Sequence, residues 1–313
     1  MKAAVRSRYG SPDVLTVKDV DPPIPKANEV LVRVHASTVN RSDYHVLTGK
    51  PFIMRFFTGL FAPSLSITGS DFAGQIEAMG KNAKRFNVGD KVMGFIDMGA
   101  KSHAQLLTLT ETKVTSMPGN VTYQQAVACL EGAFYAICGI QKTKPRAGQK
   151  ALVIGGTGAI GSSYVQFLKY YGLEVTAVCG GENNELVKSL GASRLIDYRT
   201  EDFIKSSDQY DFVLDAVGKS DFARCKHLLK PHGIFSSSHP NFVNGLMTSL
   251  KSGKKEVVAI PKDLMRNLDF IRGLVETGKF IPVIDREYPI DKIVDAYKYV
   301  ASGQKIANVV ITM

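Results

Sequence analysis

Cysteine is scarce in this chain of 313 residues, which contains only four. They are Cys129, Cys138, Cys179 and Cys225, and no two of them form a C-x-x-C pair. A disulfide-stapled fold is therefore excluded, because such folds need several closely spaced cysteines in a small chain. Sparse free thiols are typical of a reducing compartment, so we expect a cytoplasmic protein.

Long apolar runs are also absent. No segment approaches the roughly 20 apolar residues that a membrane-spanning helix needs, so we expect no membrane insertion. The first ten residues, MKAAVRSRYG, lack the apolar core of a signal peptide. Apolar residues make up 44% of the chain and charged residues 22%, which is typical of globular proteins, and the length predicts about two domains.

Positive charge is in excess, with 39 Lys and Arg against 29 Asp and Glu, a net charge of +10. Nucleic acid and a phosphorylated cofactor both suit this balance. The basic residues are scattered, however, and only Lys251–Lys255 forms a short cluster. Aromatic and basic residues do not interleave as they do in single-strand-binding platforms. The sequence therefore favours a cofactor over nucleic acid.

The pattern of the chain changes along its length. Before residue 120, short runs such as Glu29–Ser37 alternate apolar and polar residues, which predicts strands with one buried face. From Ala151 onward, continuous apolar runs alternate with helix-length amphipathic stretches, which is typical of a parallel sheet covered on both faces. The apolar runs are Ala151–Gly155, Leu173–Cys179, Arg194–Ile196, Asp211–Asp215, Ile234–Ser237 and Glu256–Ile260. Six such strands predict an α/β fold with a doubly wound nucleotide-binding domain.

The segment Gly155–Gly161, GGTGAIG, lies between the first of these strands and a predicted helix over Ile160–Tyr171. In its G-x-G-x-x-G pattern, Gly156 permits a tight turn, Gly158 lets the backbone approach a pyrophosphate, and Gly161 lets the helix pack on the strand. Alone, the glycines fit a plain tight turn, but the strand–loop–helix–strand context predicts a dinucleotide site at the helix N-terminus. The residues expected to bind there are Gly156, Thr157, Gly158, Ala159, Ile160 and Gly161.

The end of the second strand bears on the choice between NAD(H) and NADP(H). NAD enzymes carry an acidic residue about 20 positions after the glycines, where it binds the ribose 2′-hydroxyl. Here Val178, Cys179 and Gly180 occupy that place, and none of them is charged. A 2′-phosphate would meet no repulsion from them, which favours NADP(H), with contacts at Cys179 and Gly180. Glu182 lies close by and keeps NAD(H) open.

Four segments form an ordered set of motifs: Asn40–Gly49 (NRSDYHVLTG), Thr68–Gly80 (TGSDFAGQIEAMG), Arg85–Gly94 (RFNVGDKVMG) and Gly303–Ile311 (GQKIANVVI). This set resembles the medium-chain dehydrogenase/reductase superfamily, on its zinc-free quinone oxidoreductase (zeta-crystallin-like) and enone reductase branch. The resemblance covers nearly the whole chain. It implies a GroES-like catalytic domain at residues 1–120, completed by 270–313, a Rossmann domain at 121–269, and a homodimer.

The resemblance also shows what this chain lacks. Zinc alcohol dehydrogenases of the superfamily take a catalytic Cys from the segment matching Asn40–Asp43 and a His from the position matching Ser70. Asparagine and serine are poor zinc ligands, and the four-cysteine run that binds structural zinc is missing. We therefore predict an enzyme without zinc.

Without a Lewis acid, an activated C=C is easier to reduce than a plain ketone, because the charge spreads into an enolate that hydrogen-bond donors can hold. Quinones are the same kind of electrophile. We therefore predict NADPH-dependent reduction of an enone or a quinone. The alternatives are a zinc-free carbonyl reductase or alcohol dehydrogenase with the same cofactor, and a nucleic-acid-binding or structural crystallin-like protein.

The resemblance places Asn40 and Asp43 where the family frames its cleft, although a turn-forming Asn gives the same pattern. His45 matches a lysine that helps to protonate the enolate in some enone reductases of the branch. A histidine can donate that proton at neutral pH, so we expect His45 to be the donor, with Tyr44 as the alternative. A surface histidine without a role is the competing interpretation.

Further cofactor contacts are implied by the resemblance. Tyr135 matches a family Thr near the nicotinamide, and Tyr198 matches a tyrosine that flanks the adenosine phosphate. Val217 lies in the DAVG sequence that ends a predicted strand, where ligands of open α/β sheets bind. Lys305 and Asn308 belong to the C-terminal motif near the cofactor. Core packing for Tyr135 and a solvated surface position for Lys305 are the alternatives.

Overall fold

The computed structural model describes residues 1–97, 99, 101–238, 253–258 and 261–313. In chain order its strands are β1 (Lys2–Val5), β2 (Thr16–Asp19), β3 (Glu29–Val39), β4 (Asp71–Met79), β5 (Lys91–Phe95), β6 (Leu106–Thr110), β7 (Thr115–Ser116), β8 (Lys150–Ile154), β9 (Glu174–Cys179), β10 (Arg194–Asp197), β11 (Tyr210–Asp215), β12 (Leu229–Ser237), β13 (Lys255–Val258), β14 (Ile284–Pro289) and β15 (Asn308–Thr312). Its α-helices are α1 (Arg41–Thr48), α2 (Arg55–Thr58), α3 (Tyr123–Ala128), α4 (Glu131–Thr143), α5 (Ala159–Tyr170), α6 (Asn184–Ser189), α7 (Phe222–Cys225), α8 (Leu264–Glu276) and α9 (Ile293–Ser302). None of the helices in the described part is long and apolar enough to cross a membrane.

The chain divides into two compact units. The first contains Met1–Glu131, Leu268–Glu276 and Pro282–Met313, and the second contains Gly132–Asn267 and Thr277–Ile281. The first unit thus extends to Glu131 rather than to residue 120, because α3 packs against β3, β4 and β15 of that unit.

The first unit is built on a mostly antiparallel sheet of strand order β14-β15-β3-β4-β5-β7, with β6 also pairing with β3. Val30, Val32 and Val34 of β3 are buried in its core, which confirms the strand predicted from the alternating pattern. The C-terminal strand β15 pairs antiparallel with β3, so the end of the chain completes this sheet. The unit has the β-rich, GroES-like character that the motifs implied.

The second unit contains a parallel sheet of order β10-β9-β8-β11-β12-β13. Numbered from β8, this is the 3-2-1-4-5-6 order of a doubly wound dinucleotide-binding fold. The prediction of six parallel strands is confirmed, although Ala259 and Ile260 of the last predicted run lie outside the described residues. The strand order reverses between β8 and β11, which is where such sheets bind ligands.

Candidate active site

The glycine loop of the second unit leads from β8 into α5. Gly155 has φ of +82°, a left-handed conformation that strongly favours glycine, so this residue makes the tight turn. Sequence reasoning assigned that turn to Gly156, whose missing side chain instead leaves room for Ala177. A Cβ on Gly161 would lie 1.9 Å from the carbonyl oxygen of Gly155, so only glycine lets α5 approach the loop this closely.

The N-terminus of α5 is arranged to receive an anion. Gly158 is the N-cap, and the helix begins at Ala159 and continues through Ile160 and Gly161. Amide groups in the first turn of a helix have no acceptor within that helix, and the helix dipole adds partial positive charge there. Thr157 and Gly158 are half-buried at the same loop, so the expected pyrophosphate residues lie together in one turn.

The carboxyl end of β9 carries more charge than the sequence indicated. Cys179 is buried at the strand end, and Gly180 follows it. Next along the chain, Glu182 forms an ion pair with Arg199. Arg199 also contacts Asp197, with 3.1 Å between Nε and Oδ1, and Tyr198 beside it is 61% exposed. The acidic Glu182 is therefore partly neutralised, and a guanidinium that sequence reasoning missed lies at this position.

The turn after β11 packs against the glycine loop. Asp215 is buried and accepts hydrogen bonds from the backbone N–H groups of Val217 and Gly218, both 2.9 Å, which holds the DAVG turn in place. The side chain of Val217 covers Gly155, where a Cβ would lie 2.5 Å from Cγ1. The predicted cofactor residue Val217 is thus a neighbour of the loop. Tyr135 lies half-buried on α4 of the same unit.

In the first unit, the motif Asn40–Gly49 forms helix α1 with a cap at each end. Asn40 is the N-cap, and its backbone N–H donates to Asp43 Oδ2 at 2.8 Å in a capping box. Gly49 ends the helix in the left-handed conformation, with φ of +61°. This local structure buries Asn40 and Asp43 and gives both the local capping role that the alternative interpretation described, while their place in the cleft stays a prediction.

A chain of hydrogen bonds runs from Lys305 through Asn40 into the core. The ammonium of Lys305 donates to Asn40 Oδ1 at 3.2 Å and to the carbonyl of Ala307. Asn40 Nδ2 then donates to Thr38 Oγ1 at 2.7 Å, and Thr38 Oγ1 donates to Asp71 Oδ2 at 2.6 Å. Burial lowers the pKa of Lys305 to about 8 and raises the pKa of Asp71 to about 7. Lys305 is therefore half-buried and partnered, which is incompatible with a solvated surface lysine.

A second chain links two further buried carboxyl groups. Ser42 donates a hydrogen bond to Glu131 Oε1. Ser70 Oγ lies 3.3 Å from Glu131 Oε2 and 3.1 Å from Asp43 Oδ1, so a single hydroxyl bridges the two acids. Burial raises the pKa of both Asp43 and Glu131 above the ordinary range of carboxyl groups. Ser42 is half-buried, whereas Asp43, Ser70 and Glu131 are each 5% exposed.

The side chains of Asn40 and Ser70 do not fit a zinc ion. Asn40 Oδ1 already accepts from a lysine ammonium, and a second cation beside Lys305 would be repelled. Ser70 is engaged with two carboxyl groups as a neutral hydroxyl. Within the described ranges, no group of three or more His, Cys, Asp or Glu side chains could hold a metal.

The remaining predicted residues of the first unit are placed as follows. His45 lies half-buried on α1, and its carbonyl accepts from the Gly49 N–H that ends the helix. Tyr44 packs against an apolar cluster that includes Val39. Asn308 is buried, and Nδ2 donates to the carbonyls of Ala128 at 2.8 Å and Val283 at 3.0 Å, so its amide group ties three segments of the unit together.

Comparison with known proteins assigns the family. Residues 26–142 match the profile described as "Alcohol dehydrogenase GroES-like domain", and residues 190–311 match the one described as "Zinc-binding dehydrogenase". A 2-methylene-furan-3-one reductase of Solanum lycopersicum is 31% identical, over 99% of this chain and 79% of the relative. The chain belongs to the medium-chain dehydrogenase/reductase superfamily. Within it, this oxidoreductase lies on the quinone oxidoreductase and enone reductase branch.

A second relative supports the placement, and a solved structure supports the fold. A chloroplast envelope quinone oxidoreductase homolog of Arabidopsis thaliana is 30% identical over 92% of this chain and 91% of the relative. The solved quinone oxidoreductase from Coxiella burnetii superposes with a TM-score of 0.90, covering 100% of this chain and 99% of that chain. At 24% identity, this last likeness shows the fold alone.

Sequence reasoning did not identify three residues of the candidate site of this medium-chain reductase. Ser42 lies inside the motif Asn40–Gly49 but was not singled out, because its contact with Glu131 is not visible in the sequence. Glu131 was not considered, although a lone carboxyl group within the apolar stretch from Ala126 to Ile137 is costly to bury and should have attracted attention. Arg199 follows the predicted Tyr198 directly, but nothing in the sequence indicates that it pairs with Glu182.

Proposed function

We propose that this medium-chain oxidoreductase uses NADPH, without zinc, to reduce the activated C=C bond of an enone or a quinone. The observation that carries the proposal is the contact between Lys305 and Asn40. The ammonium of Lys305 binds the side chain of Asn40. Asn40 lies in the segment that matches the one from which zinc alcohol dehydrogenases take their thiolate ligand. A protonated lysine therefore supplies the local positive charge in this part of the first unit.

The glycine loop fits the dinucleotide. The first-turn amides of α5, at Ala159, Ile160 and Gly161, would hold the pyrophosphate, and Gly158 leaves space beside them. Arg199 would hold a 2′-phosphate by charge-assisted hydrogen bonds once Glu182 turns away. When bound, the reduced nicotinamide supplies the hydride.

The substrate chemistry is argued from the side chains of Asn40 and Ser70, which are poor ligands for a Lewis acid. Hydride transfer to an enone or a quinone leaves an oxyanion whose charge is delocalised, and hydroxyl donors can stabilise it. Ser42 is a half-buried hydroxyl in the site, and we assign it this stabilising role. A simple ketone would leave a localised alkoxide, which needs stronger stabilisation.

The test is a steady-state panel of one enone, one quinone, one aldehyde and one primary alcohol, each with NADPH or NADH in the matching direction. We expect turnover of the enone or the quinone, unchanged after treatment with a chelator. Oxidation of the alcohol that stops on chelation and returns with zinc would overturn the proposal. Aldehyde reduction without turnover of the enone or the quinone would favour the carbonyl reductase alternative.

Oligomeric state, location and partners belong to the same proposal. We propose a cytoplasmic homodimer, which light scattering and cell fractionation can measure. A gel shift with single-stranded RNA at physiological salt is expected to show no complex, because nonspecific binding of nucleic acid is weak under these conditions.

A further inference from the structure

The Asp43–Ser70–Glu131 chain contains one hydroxyl hydrogen for two carboxyl groups. Ser70 Oγ is 3.1 Å from Asp43 Oδ1 and 3.3 Å from Glu131 Oε2, yet it can donate to only one of them. If both acids were ionised, the other contact would place lone pairs against lone pairs between two buried charges. A single additional proton removes this conflict, because the protonated acid then donates to Ser70 or to Ser42.

The groups around Glu131 favour a proton shared by the pair. Asp43 and Glu131 both contact the hydroxyl of Ser70, and two buried carboxylates so close together repel each other strongly. The protons of such a pair belong to the pair rather than to one residue. The titratable side chains that face Glu131 come from several segments: Asp43 of α1, Asp71 of β4, Asp97 after β5, Tyr297 of α9 and Lys305 before β15. Lys305 is the one cation in this set, and the guanidinium of Arg6 is a second cation that acts on Asp43. Two cations do not compensate the three buried carboxyl groups of Asp43, Asp71 and Glu131.

Ser42 is more accessible to solvent than the Asp43–Ser70–Glu131 chain to which it is hydrogen-bonded. It is half-buried, whereas the three members of the chain are almost inaccessible. Its hydroxyl is hydrogen-bonded to Glu131 Oε1, so a proton on that oxygen would make Glu131 the donor and free the hydrogen of Ser42. The hydrogen of Ser42 can then point to a substrate atom.

We propose that the Asp43–Ser70–Glu131 chain stores one proton, and that Glu131 releases it through Ser42 to the oxyanion formed on the substrate. The inference rests on the proposed function. Ser42 is the catalytic residue in this step, since it touches the substrate oxygen. Glu131 acts through Ser42, and Asp43 and Ser70 position the proton.

The step balances in atoms and charge. Hydride forms a C–H bond at the carbon β to the carbonyl, and the electron pair of the C=C bond moves to give an enolate. The Ser42 O–H bond breaks as an O–H bond forms on the enolate oxygen, while the proton of Glu131 restores the Ser42 hydroxyl. Glu131 is left as a carboxylate near Lys305, and a solvent proton later returns to it. The enol converts to the ketone by tautomerisation.

The stored proton can be observed without turnover. Infrared spectroscopy at pH 7 is carried out in an Asp71→Asn background, because the pKa of Asp71 is itself raised to about 7 and its acid form would give the same band. In that background we expect the carbonyl stretch of a protonated carboxylic acid, shifted in D2O and lost when Glu131→Gln is added. Ser102→Ala is the matched control, because Ser102 is a buried serine of the same unit whose hydroxyl contacts Ser37 rather than the acid pair. The band should persist in the control. Absence of the band in Asp71→Asn with Glu131 intact overturns the stored proton.

Kinetics test the delivery. A positioned general acid contributes typically about 10²–10⁴-fold in rate, so Glu131→Gln and Ser42→Ala should lower kcat on an enone by about 10²-fold or more, with unchanged NADPH affinity. Ser42→Thr keeps the hydroxyl and should retain most of the activity. Wild-type kcat should fall as pH rises through the apparent pKa of the pair, because the acid form is lost, and this limb should vanish in Glu131→Gln.

The outcomes separate the alternatives. Wild-type kcat in Glu131→Gln, or loss of the pH limb in His45→Ala instead, overturns delivery from Glu131. If Glu131→Gln does not fold, Ser42→Ala and the infrared titration of Asp71→Asn decide the question. If the wild-type protein reduces neither an enone nor a quinone, the proposed function fails and the delivery step with it, while the infrared band still reports on the stored proton.

Discussion

Replacing Gly158 with alanine tests whether the loop Gly155–Gly161 binds a pyrophosphate or is only a tight turn. Gly158 has φ of −70° and ψ of 168°, which any residue can adopt. An alanine Cβ would find its nearest neighbour, the carbonyl oxygen of Gly155, at 3.6 Å, an ordinary contact. The fold itself therefore does not require glycine at this position, and any requirement must come from the cofactor.

Gly161 provides the contrast. Its alanine Cβ would lie 1.9 Å from the oxygen and 2.8 Å from the carbonyl carbon of Gly155, both backbone atoms that cannot turn away. Over-packing of this kind costs about 1–3 kcal/mol. Gly158→Ala should instead change the free energy of unfolding by no more than about 0.5 kcal/mol.

The effects on binding follow from the phosphate contacts. A methyl group on Gly158 keeps the pyrophosphate away from the first-turn amides of α5. A hydrogen bond to a charged group contributes about 1.5–3 kcal/mol, so the loss of one such bond weakens NADPH binding by about tenfold or more. Gly158→Ala is thus expected to lose affinity without losing stability.

Isothermal titration with NADPH and urea unfolding measure the two quantities. Gly119→Ala is the matched control, because no heavy atom lies within 4 Å of a Cβ at that position. If Gly158→Ala binds NADPH as tightly as the wild-type protein, the loop is only a turn and the cofactor assignment fails.

NADPH should bind on the order of 100-fold more tightly than NADH if two charge-assisted bonds reach the 2′-phosphate, and equal affinities measured by titration would contradict this. Arg199→Ala should erase that preference, and Gly180→Asp should shift it toward NADH because a second carboxylate joins Glu182. Elemental analysis should find no stoichiometric zinc, and one zinc per chain would refute the mechanism. His45→Ala should lose far less enone turnover than the roughly 10²-fold expected of a general acid; steady-state kinetics beside Glu131→Gln decide between the two donors. Because the folded-state pKa of Asp71 is raised to about 7, the folded protein binds more protons than the unfolded chain between about pH 4 and 7. The free energy of unfolding should therefore decrease as pH rises through that window, and less steeply in Asp71→Asn.

The glycine loop shows how much of the local structure can be predicted from nearby sequence. The apolar run before it, the glycine spacing and the amphipathic stretch after it all act within about 20 residues. These features predict a strand, a turn and a helix that the structure contains as β8, Gly155–Gly161 and α5. These local features do not predict that the positive φ falls at Gly155 rather than at Gly156, because the spacing alone does not tell which glycine makes the turn.

The charge at the end of β9 was predicted only in part. The neutral strand end at Cys179 and Gly180 was read correctly from the sequence. The pairing of Glu182 with Arg199 was not, since it requires β10 to lie beside β9 in register, with Asp197 opposite Cys179. The charge that a 2′-phosphate would meet is therefore a property of two adjacent strands rather than of one.

By itself, the sequence determined the two kinds of domain, the dinucleotide loop and the poor zinc ligands at Asn40 and Ser70, because periodicity, glycine spacing and side-chain chemistry are local properties. Only the tertiary structure decided what those polar residues do. It joins Asn40 to Lys305 across 265 positions of chain and places Glu131 against Ser42 and Ser70. A buried carboxyl group acquires its protonation state from the charges and donors that folding places around it, and no local pattern encodes those neighbours.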